Sequence, residues 1–347
     1  MANVARRLTI LACVVLVLVA LGISGFWLIG AHRLRETVTN LETSWRAQGG
    51  ETSHENFRLT GFPMWFRAVV DKPVIGYHGA PSPWRWEGPP VRFRLSPFAP
   101  RGRALFPGQH RLDFTTFGGP VSLAILARDA EAQYRGARGE DKFLLHGDKL
   151  AVTINDQPPM TIDRLDLDLV TLSGVTDHLK PSAQFAVDVD DVKLPPGSLP
   201  QQFRNQLIDL ARLRGQVLGP LSPRLDRAAV TAWRDLGGTV EIASLELRWG
   251  PLKIVALGTA ALDTNLQPLA ALTATITGFN EAIDALADGG SLDKNEAESA
   301  KSLFKLLAKP PLLGGPPEIA VPVTIQNQRL ALGPVTLMTL PLIEWPN

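Results

Sequence analysis

The sequence of 347 residues predicts an α+β protein in which an N-terminal transmembrane helix with a stalk precedes mostly antiparallel, curved β-sheets and three or four helices. Three observations predict this class: a long uncharged segment near the N-terminus, runs that alternate apolar and charged residues, and a few segments with helical spacing. The 28 prolines and 30 glycines favour many short strands over a helical bundle. The single cysteine excludes structural intrachain disulfides and a cysteine-based zinc site.

Residues 8–30 form an uncharged, mostly apolar stretch of 23 residues, and about 20 apolar residues suffice to cross a bilayer. A cleaved signal peptide has a shorter apolar region of ~7–15 residues, and Phe26 and Trp27 stand where its small residues would lie. We therefore expect an uncleaved anchor. A large domain behind a short N-terminal tail predicts a single-pass protein of the bacterial inner membrane with the bulk of the chain in the periplasm.

Residues 31–48 are predicted to continue this helix as a stalk. Apolar side chains recur there at spacings of four, three and four residues, and charged residues fill the other faces. Gly49 and Gly50 end the run. The apolar stripe is expected to lie on the domain that follows, and its members are Leu34, Val38, Leu41 and Trp45.

Beyond the stalk the apolar period changes to two, which is typical of a sheet with one apolar and one solvated face. Leu165, Leu167 and Leu169 alternate with Asp166 and Asp168. These aspartates lack the glycine and the bidentate glutamate of a calcium loop, so we interpret them as part of the solvated face. Similar runs occupy residues 185–190, 245–249 and 319–325.

Three helices are predicted between the strands, over residues 199–214, 279–288 and 294–308. The last of them starts after Asp293, which forms an approximate capping box with Glu296. Two stretches rich in proline and glycine, 195–200 and 219–223, are the best candidate boundaries within the strand-rich part. The predicted units are a membrane anchor over 1–30, the stalk over 31–48, a β-rich subdomain over 49–197 and an α+β subdomain with an antiparallel sheet over 198–347.

No local motif for catalysis or cofactor binding occurs in the sequence. No two of the six histidines lie within five residues of each other, and neither a nucleophile elbow nor a phosphate-binding glycine loop is present. The net charge of +1 provides no general attraction to nucleic acid. We expect a protein that is not an enzyme, holds no metal or cofactor and binds no nucleic acid; the alternative is a hydrolase site assembled from distant residues.

Charge is distributed unevenly along the chain: residues 31–111 carry a net +6 and residues 112–347 a net −7. We expect the basic part to lie against the membrane, and the alternative is a solvated basic edge. An upright stalk of about 17 residues would hold the domain ~25 Å away, beyond the screening length of ~8–10 Å. Contact therefore requires a tilted stalk or a domain packed alongside it. The arginines predicted to contact lipid head groups are Arg92, Arg94, Arg101 and Arg103.

A sheet with one apolar face and few helices to cover it leaves room for a groove that binds lipid or another apolar ligand. The helices over 199–214 and 294–308 are expected to cover part of this face. Two alternatives stay open: a closed core in place of the groove, and an envelope scaffold or assembly protein that binds protein partners through the acidic half. The residues expected to line the groove are Leu245, Leu247, Trp249, Ile254 and Leu272.

Four segments of the chain together resemble a known bacterial family. They are GFPMWF at 61–66, AWRDLGG at 232–238, WGPL at 249–252 and LALGP at 330–334. In this combination the chain resembles the proteobacterial domain-of-unknown-function family 2125 over nearly all of residues 50–345. The family has no established activity, so the resemblance implies no catalytic residues. It implies an anchored envelope protein whose strand-rich part is distantly similar to the AsmA-type proteins implicated in lipid handling.

Overall fold

The computed structural model describes residues 2–79, 83–116, 119–195, 208–222, 226–288, 293–308, 317–333, 335–343 and 345. Side chains fall outside this description at residues 2–15 and 17 and at some positions of the last two helices and the last strand. The helices are α1 (Ala2–Ala47), α2 (Arg227–Asp235), α3 (Phe279–Asp288) and α4 (Lys294–Leu307). The strands are β1 (Gly50–Ser53), β2 (Asn56–Thr60), β3 (Phe66–Asp71), β4 (Val74–Tyr77), β5 (Trp84–Glu87), β6 (Val91–Leu95), β7 (Arg101–Leu105), β8 (Gly108–Thr116), β9 (Gly119–Ala137), β10 (Glu140–Ile154), β11 (Met160–Leu172), β12 (Pro181–Lys193), β13 (Ile208–Leu218), β14 (Thr239–Trp249), β15 (Leu252–Leu262), β16 (Pro268–Thr277), β17 (Glu318–Gln326), β18 (Arg329–Leu332) and β19 (Val335–Thr339).

Every strand pairing in the described part of the chain is antiparallel, which confirms the predicted α+β class with a mostly antiparallel sheet. From β9 to β19 each strand pairs with the next one along the chain, so these strands form one up-and-down sheet. Strand β9 also pairs with β8 through its first half and with β7 through its second half. Two short branches continue from there, one through β7, β6, β3 and β2, and the other through β8, β5, β4 and β1.

The alternating runs form strands as predicted, because each places its apolar residues on one side of the sheet. Residues 165–169 lie in β11, 185–190 in β12, 245–249 in β14 and 319–325 in β17. Between β17 and β18 the chain reverses through Asn327 and Gln328, whose φ angles are 50° and 62°. Two consecutive residues with positive φ are the geometry of a type I′ hairpin turn.

One predicted helix is wrong. The structure describes residues 208–214 of the segment 199–214, and they belong to strand β13; residues 199–207 lie outside the described residues. The spacing of Leu210 and Ala211 from upstream apolar residues fits a helix, but Ala211 and Leu213 also alternate with charged neighbours. Pairing with β12 and β14 on both sides decides in favour of the strand.

The other two interior helices are confirmed, and the sequence pattern missed a third. Helix α3 covers Phe279–Asp288, and α4 begins at the predicted capping box. Asp293 accepts a hydrogen bond from the Glu296 amide while the Glu296 side chain accepts one from the Asp293 amide. Helix α2 is short, and its Asp226 cap accepts a hydrogen bond from the Ala229 amide.

Helix α1 continues without a break to Ala47, so the helix predicted over 31–48 is present. Among the described residues, no helix is long and apolar enough to cross a membrane. The span predicted over 8–30 falls partly on residues 8–15 and 17, whose side chains lie outside the described residues.

Hydrogen bonds attach the C-terminal end of α1 to the first strands. The indole of Trp45 donates hydrogen bonds to the carbonyl oxygens of Gly76 at 2.9 Å and Glu51 at 3.2 Å. Strands β12 and β13 pair across residue 198, where the sequence predicts a boundary between two subdomains, and that division stays a prediction.

Candidate functional site

The main candidate site is one face of the long sheet. Cross-strand register places Leu145 of β10 opposite Leu167 of β11, then Val187 of β12, Leu213 of β13 and Leu245 of β14. Residues directly opposite each other in a sheet point to the same side. We call this side the apolar face. Over these five strands its members are Phe143, Leu145, Gly147, Leu165, Leu167, Leu169, Phe185, Val187, Val189, Ala211, Leu213, Gly215, Leu245, Leu247 and Trp249.

The apolar face is open rather than packed over β10–β14. Phe143 is 42% exposed and Leu245 36% exposed, and the other apolar side chains from β10 to β14 on this face are half-buried. Toward the far end the face closes, since Ala256, Ala274 and Ile319 are only 2–3% exposed. A packed interior would bury the middle strands as deeply as it buries this end.

The opposite side of the same strands is covered with ion pairs. His146 lies 2.6 Å from Asp166, Asp188 accepts two hydrogen bonds from Arg214 at 2.6 and 2.7 Å, and Glu246 accepts one from Arg248 at 2.9 Å. Hydrogen bonds to Asp166 and then Asp148 raise the pKa of His146, and the hydrogen bond from Arg248 lowers the pKa of Glu246. Water therefore suits one side of the sheet, and an apolar environment suits the other.

The structure places the five predicted groove residues on adjacent strands of this face. Leu247 lies opposite Ile254, while Leu245 and Trp249 flank Leu247 on β14. Leu272 lies opposite Gly258, which is four residues after Ile254 on β15 and therefore on the same side of the sheet. The predicted cover at 208–214 is instead part of the sheet, while α4 packs against α3 through a contact between Phe279 and Phe304.

The apolar face extends further toward the N-terminus than the five predicted groove residues. The alternations in residues 165–169 and 185–190 carry the same apolar signal, and the face runs through them. Because alternation does not reveal which strands are neighbours, the extent of the face emerges only from the register.

A second apolar space lies between α1 and the first strands and has a volume of about 520 Å³. The predicted stripe of α1 forms one wall, and β3 and β6 contribute much of the other. The register row of Ala68 and Phe93 continues through Ala104 of β7 and Ala132 of β9 to Leu145. The cavity and the apolar face are therefore parts of one surface. Its lining includes Leu34, Val38, Leu41, Trp45, Ala68, Val70, Val91, Phe93 and Leu95.

Two loops contact α1 at residues 26 and 27. The Trp27 indole donates a hydrogen bond to the Trp65 carbonyl oxygen at 3.0 Å, and the ring of Phe26 stacks on that of Phe98 with centroids 5.6 Å apart. The domain thus packs alongside the helix, which is one of the two arrangements that contact between the basic segment and a membrane requires. The loop side chains Phe62, Met64 and Phe98 are nevertheless 54%, 58% and 63% exposed.

Three of the four predicted arginines line a second cavity, of about 590 Å³, beside these loops. Arg94 lies directly opposite Arg103, and its guanidinium carbon is 3.9 Å from the centre of a Trp65 ring. Arg101 is 5.6 Å from the same ring and lies opposite Arg135 of β9. We call this space the arginine cavity, lined by Trp65, Arg94, Arg101, Gly102, Arg103, Gln133, Tyr134 and Arg135.

The fourth predicted arginine, Arg92, is exposed on β6 and lies outside the arginine cavity. Sequence reasoning missed Trp65 and Arg135, because they lie outside residues 92–103, from which the four predicted arginines come. No group of three metal-ligating side chains occurs within the described ranges. The one buried histidine described, His110, stacks on Trp86 with centroids 5.7 Å apart, and burial lowers its pKa.

Comparison with known proteins places the chain in a family. The model of the family described as "Uncharacterized protein conserved in bacteria (DUF2125)" matches residues 27–341. The chain belongs to this family. No curated protein and no solved structure matches it, and the likeness to AsmA-type proteins stays an expectation. The region shared with the DUF2125 family begins at Trp27, so it includes both the apolar face and the arginine cavity.

Proposed function

We propose that this DUF2125 protein is a membrane-anchored protein of the cell envelope that binds lipid acyl chains on its apolar face. The proposal rests on the half-exposed apolar surface across β10–β14. The opposite side of the same strands carries ion pairs. Each methylene group transferred from water onto such a surface contributes ~0.8 kcal/mol. Acyl chains supply many methylene groups without any polar atom that the face would leave unpaired.

The length of the surface supports an extended ligand. The register row from Ala68 of β3 to Val321 of β17 crosses twelve strands, and eleven steps of about 4.8 Å span ~50 Å. A compact ligand would fill a rounded pocket instead. The cavity beside α1 lies at the anchored end of this row, where a lipid would leave the bilayer.

The anchor is part of the proposal. Residues 8–30 are expected to cross the inner membrane with the sheet in the periplasm. Support comes from Leu18, Leu21 and Leu28, apolar side chains of α1 that are 62–63% exposed, and from Trp27 near the end of the span, where interfacial aromatic residues concentrate. Protease added to spheroplasts should digest the domain, and complete protection would contradict the periplasmic placement.

Photo-crosslinking in cells tests the lipid assignment on the full chain. A photoreactive phenylalanine analogue at Val187 points to the apolar face, and the same analogue at Ala186 points to the charged side of the same strand. We expect the first position to capture phospholipid, identified by mass spectrometry, and the second to capture none above background.

Two outcomes would contradict lipid binding. Equal lipid capture at both positions would indicate contact with the bilayer rather than a face-specific site. Capture of an envelope protein at position 187 in place of lipid would favour the scaffold or assembly role. The matched positions are adjacent and both half-buried, so a difference in exposure does not explain a difference in capture.

A further inference from the structure

We propose that the arginine cavity binds the phosphate of an anionic phospholipid head group. This inference rests on the membrane placement in the proposed function and extends it from the acyl chain to the head group.

The arginine cavity brings together four like charges, of which the protein itself neutralises only one. Arg94 lies opposite Arg103, and Arg101 lies opposite Arg135, although like charges directly opposite in a sheet repel each other. Within the described residues Arg103 has an acidic partner, Glu131, whereas Arg94, Arg101 and Arg135 form no ion pair. An anion held between these strands would remove the repulsion and accept several guanidinium hydrogen bonds.

An aromatic side chain holds two of these arginines in place. Arg94 and Arg101 both approach the ring of Trp65, and such cation–π contact orients a guanidinium while leaving its N–H groups free to donate. Trp65 is fixed in turn, because its carbonyl oxygen accepts the Trp27 hydrogen bond. The cavity is therefore attached to the point of α1 expected at the membrane surface.

Exposed apolar side chains near the arginine cavity favour a lipid phosphate over a free one. Phe62 and Phe98 contact Trp27 and Phe26 of α1, Met64 directly precedes Trp65 in the chain, and all three side chains are more than half exposed. Clustered exposed aromatic and thioether side chains are unfavourable in water but suit the boundary between head groups and acyl chains. Inorganic phosphate would contact only the arginines. A phospholipid would place its phosphate among the arginines and its acyl chains against the exposed apolar side chains.

Native mass spectrometry of the full chain in an uncharged detergent tests the inference. The protein is supplied with equal amounts of phosphatidylglycerol and phosphatidylcholine, and the lipids retained are counted. We expect retention to favour phosphatidylglycerol, and we expect Arg94→Gln and Arg101→Gln each to reduce this preference about fivefold, the effect of one basic side chain near an anionic lipid. Arg92→Gln is the matched control on the same exposed side of β6 and should leave the preference unchanged.

Several outcomes would overturn the head-group site. Equal retention of both lipids by the wild type, or an equal effect of Arg92→Gln and Arg94→Gln, would show that the cavity does not select the phosphate. Complete displacement of phosphatidylglycerol by inorganic phosphate alone would show a free-anion site instead. Lipid retained without a head-group preference contradicts this inference only, whereas absence of any retained lipid contradicts the proposed function as well.

Discussion

His146 shows how the charged side of the sheet responds to pH at the scale of one residue. Its two ring nitrogens lie 2.6 Å from Asp166 and 3.0 Å from Asp148, and these contacts raise its pKa above the ordinary value. Folding therefore favours the protonated imidazole. The resulting stability is fully present below the unfolded pKa of about 6.5 and is lost as pH rises through the higher folded value.

We expect the free energy of unfolding to decrease from pH 6 to about pH 8 more steeply in the wild type than in His146→Gln. The difference should be small, because the side chain is 42% exposed and solvent screens the contact. Urea unfolding of the full chain at both pH values measures it. His178→Gln is a control, since His178 is exposed and has only a 3.8 Å contact with Asp177. Parallel pH curves for wild type and His146→Gln would contradict the expectation.

Helix α2 illustrates, at the scale of an element, how a short segment is fixed by one buried side chain. Trp233 is 6% exposed, and its indole donates a hydrogen bond to the Leu218 carbonyl oxygen at 2.8 Å. The chain then reverses through Gly237, with φ of 79°, and Gly238. A Cβ atom at residue 238 would lie 2.2 Å from the Trp233 ring, so only glycine fits there without displacing the indole.

We expect Gly238→Ala to lower the free energy of unfolding by about 1–3 kcal/mol, because the methyl group forces the buried ring or the backbone to move. Leu236→Ala is the control at the end of the same helix. Leu236 is 58% exposed, so its removal should change stability by no more than ~0.5 kcal/mol. Chemical unfolding curves of the three proteins compare the effects. Equal stabilities for Gly238→Ala and wild type would show that the ring has room to move.

The elements predicted correctly are those whose signals are local. Asp293 and Glu296 determine the start of α4, and alternation determines β11, β12 and β14, because each depends only on nearby residues. The apolar spacing within residues 199–214 predicts a helix, but residues 208–214 form strand β13. Pairing with β12 and β14, which lie outside this segment, overrode the local pattern. The four predicted arginines are likewise a local signal, because they lie close together in the sequence. Trp65 and Arg135 become their neighbours only through the fold.

At the scale of the whole molecule, the sheet is a linear array. In the described part of the chain each strand from β10 to β18 pairs only with the strands before and after it. This arrangement keeps one face continuous over a long distance, which a closed barrel or a sandwich would bury. In this arrangement each strand is stabilised mainly by the two strands that pair with it, as repeats are in repeat proteins.

Such an array should open from its weaker end. Strands β18 and β19 have four and five residues, whereas β10, β11 and β12 have 13–15 and therefore more cross-strand hydrogen bonds. We expect amide hydrogen exchange in the full chain to be fastest in β18–β19, slower in β14–β16 and slowest in β10–β11, because opening an end strand costs only one interface. Exchange measured by mass spectrometry after proteolysis gives this order. Identical protection across β10–β19 would instead show a single cooperative unit, in which the C-terminal strands are held as firmly as β10 and β11.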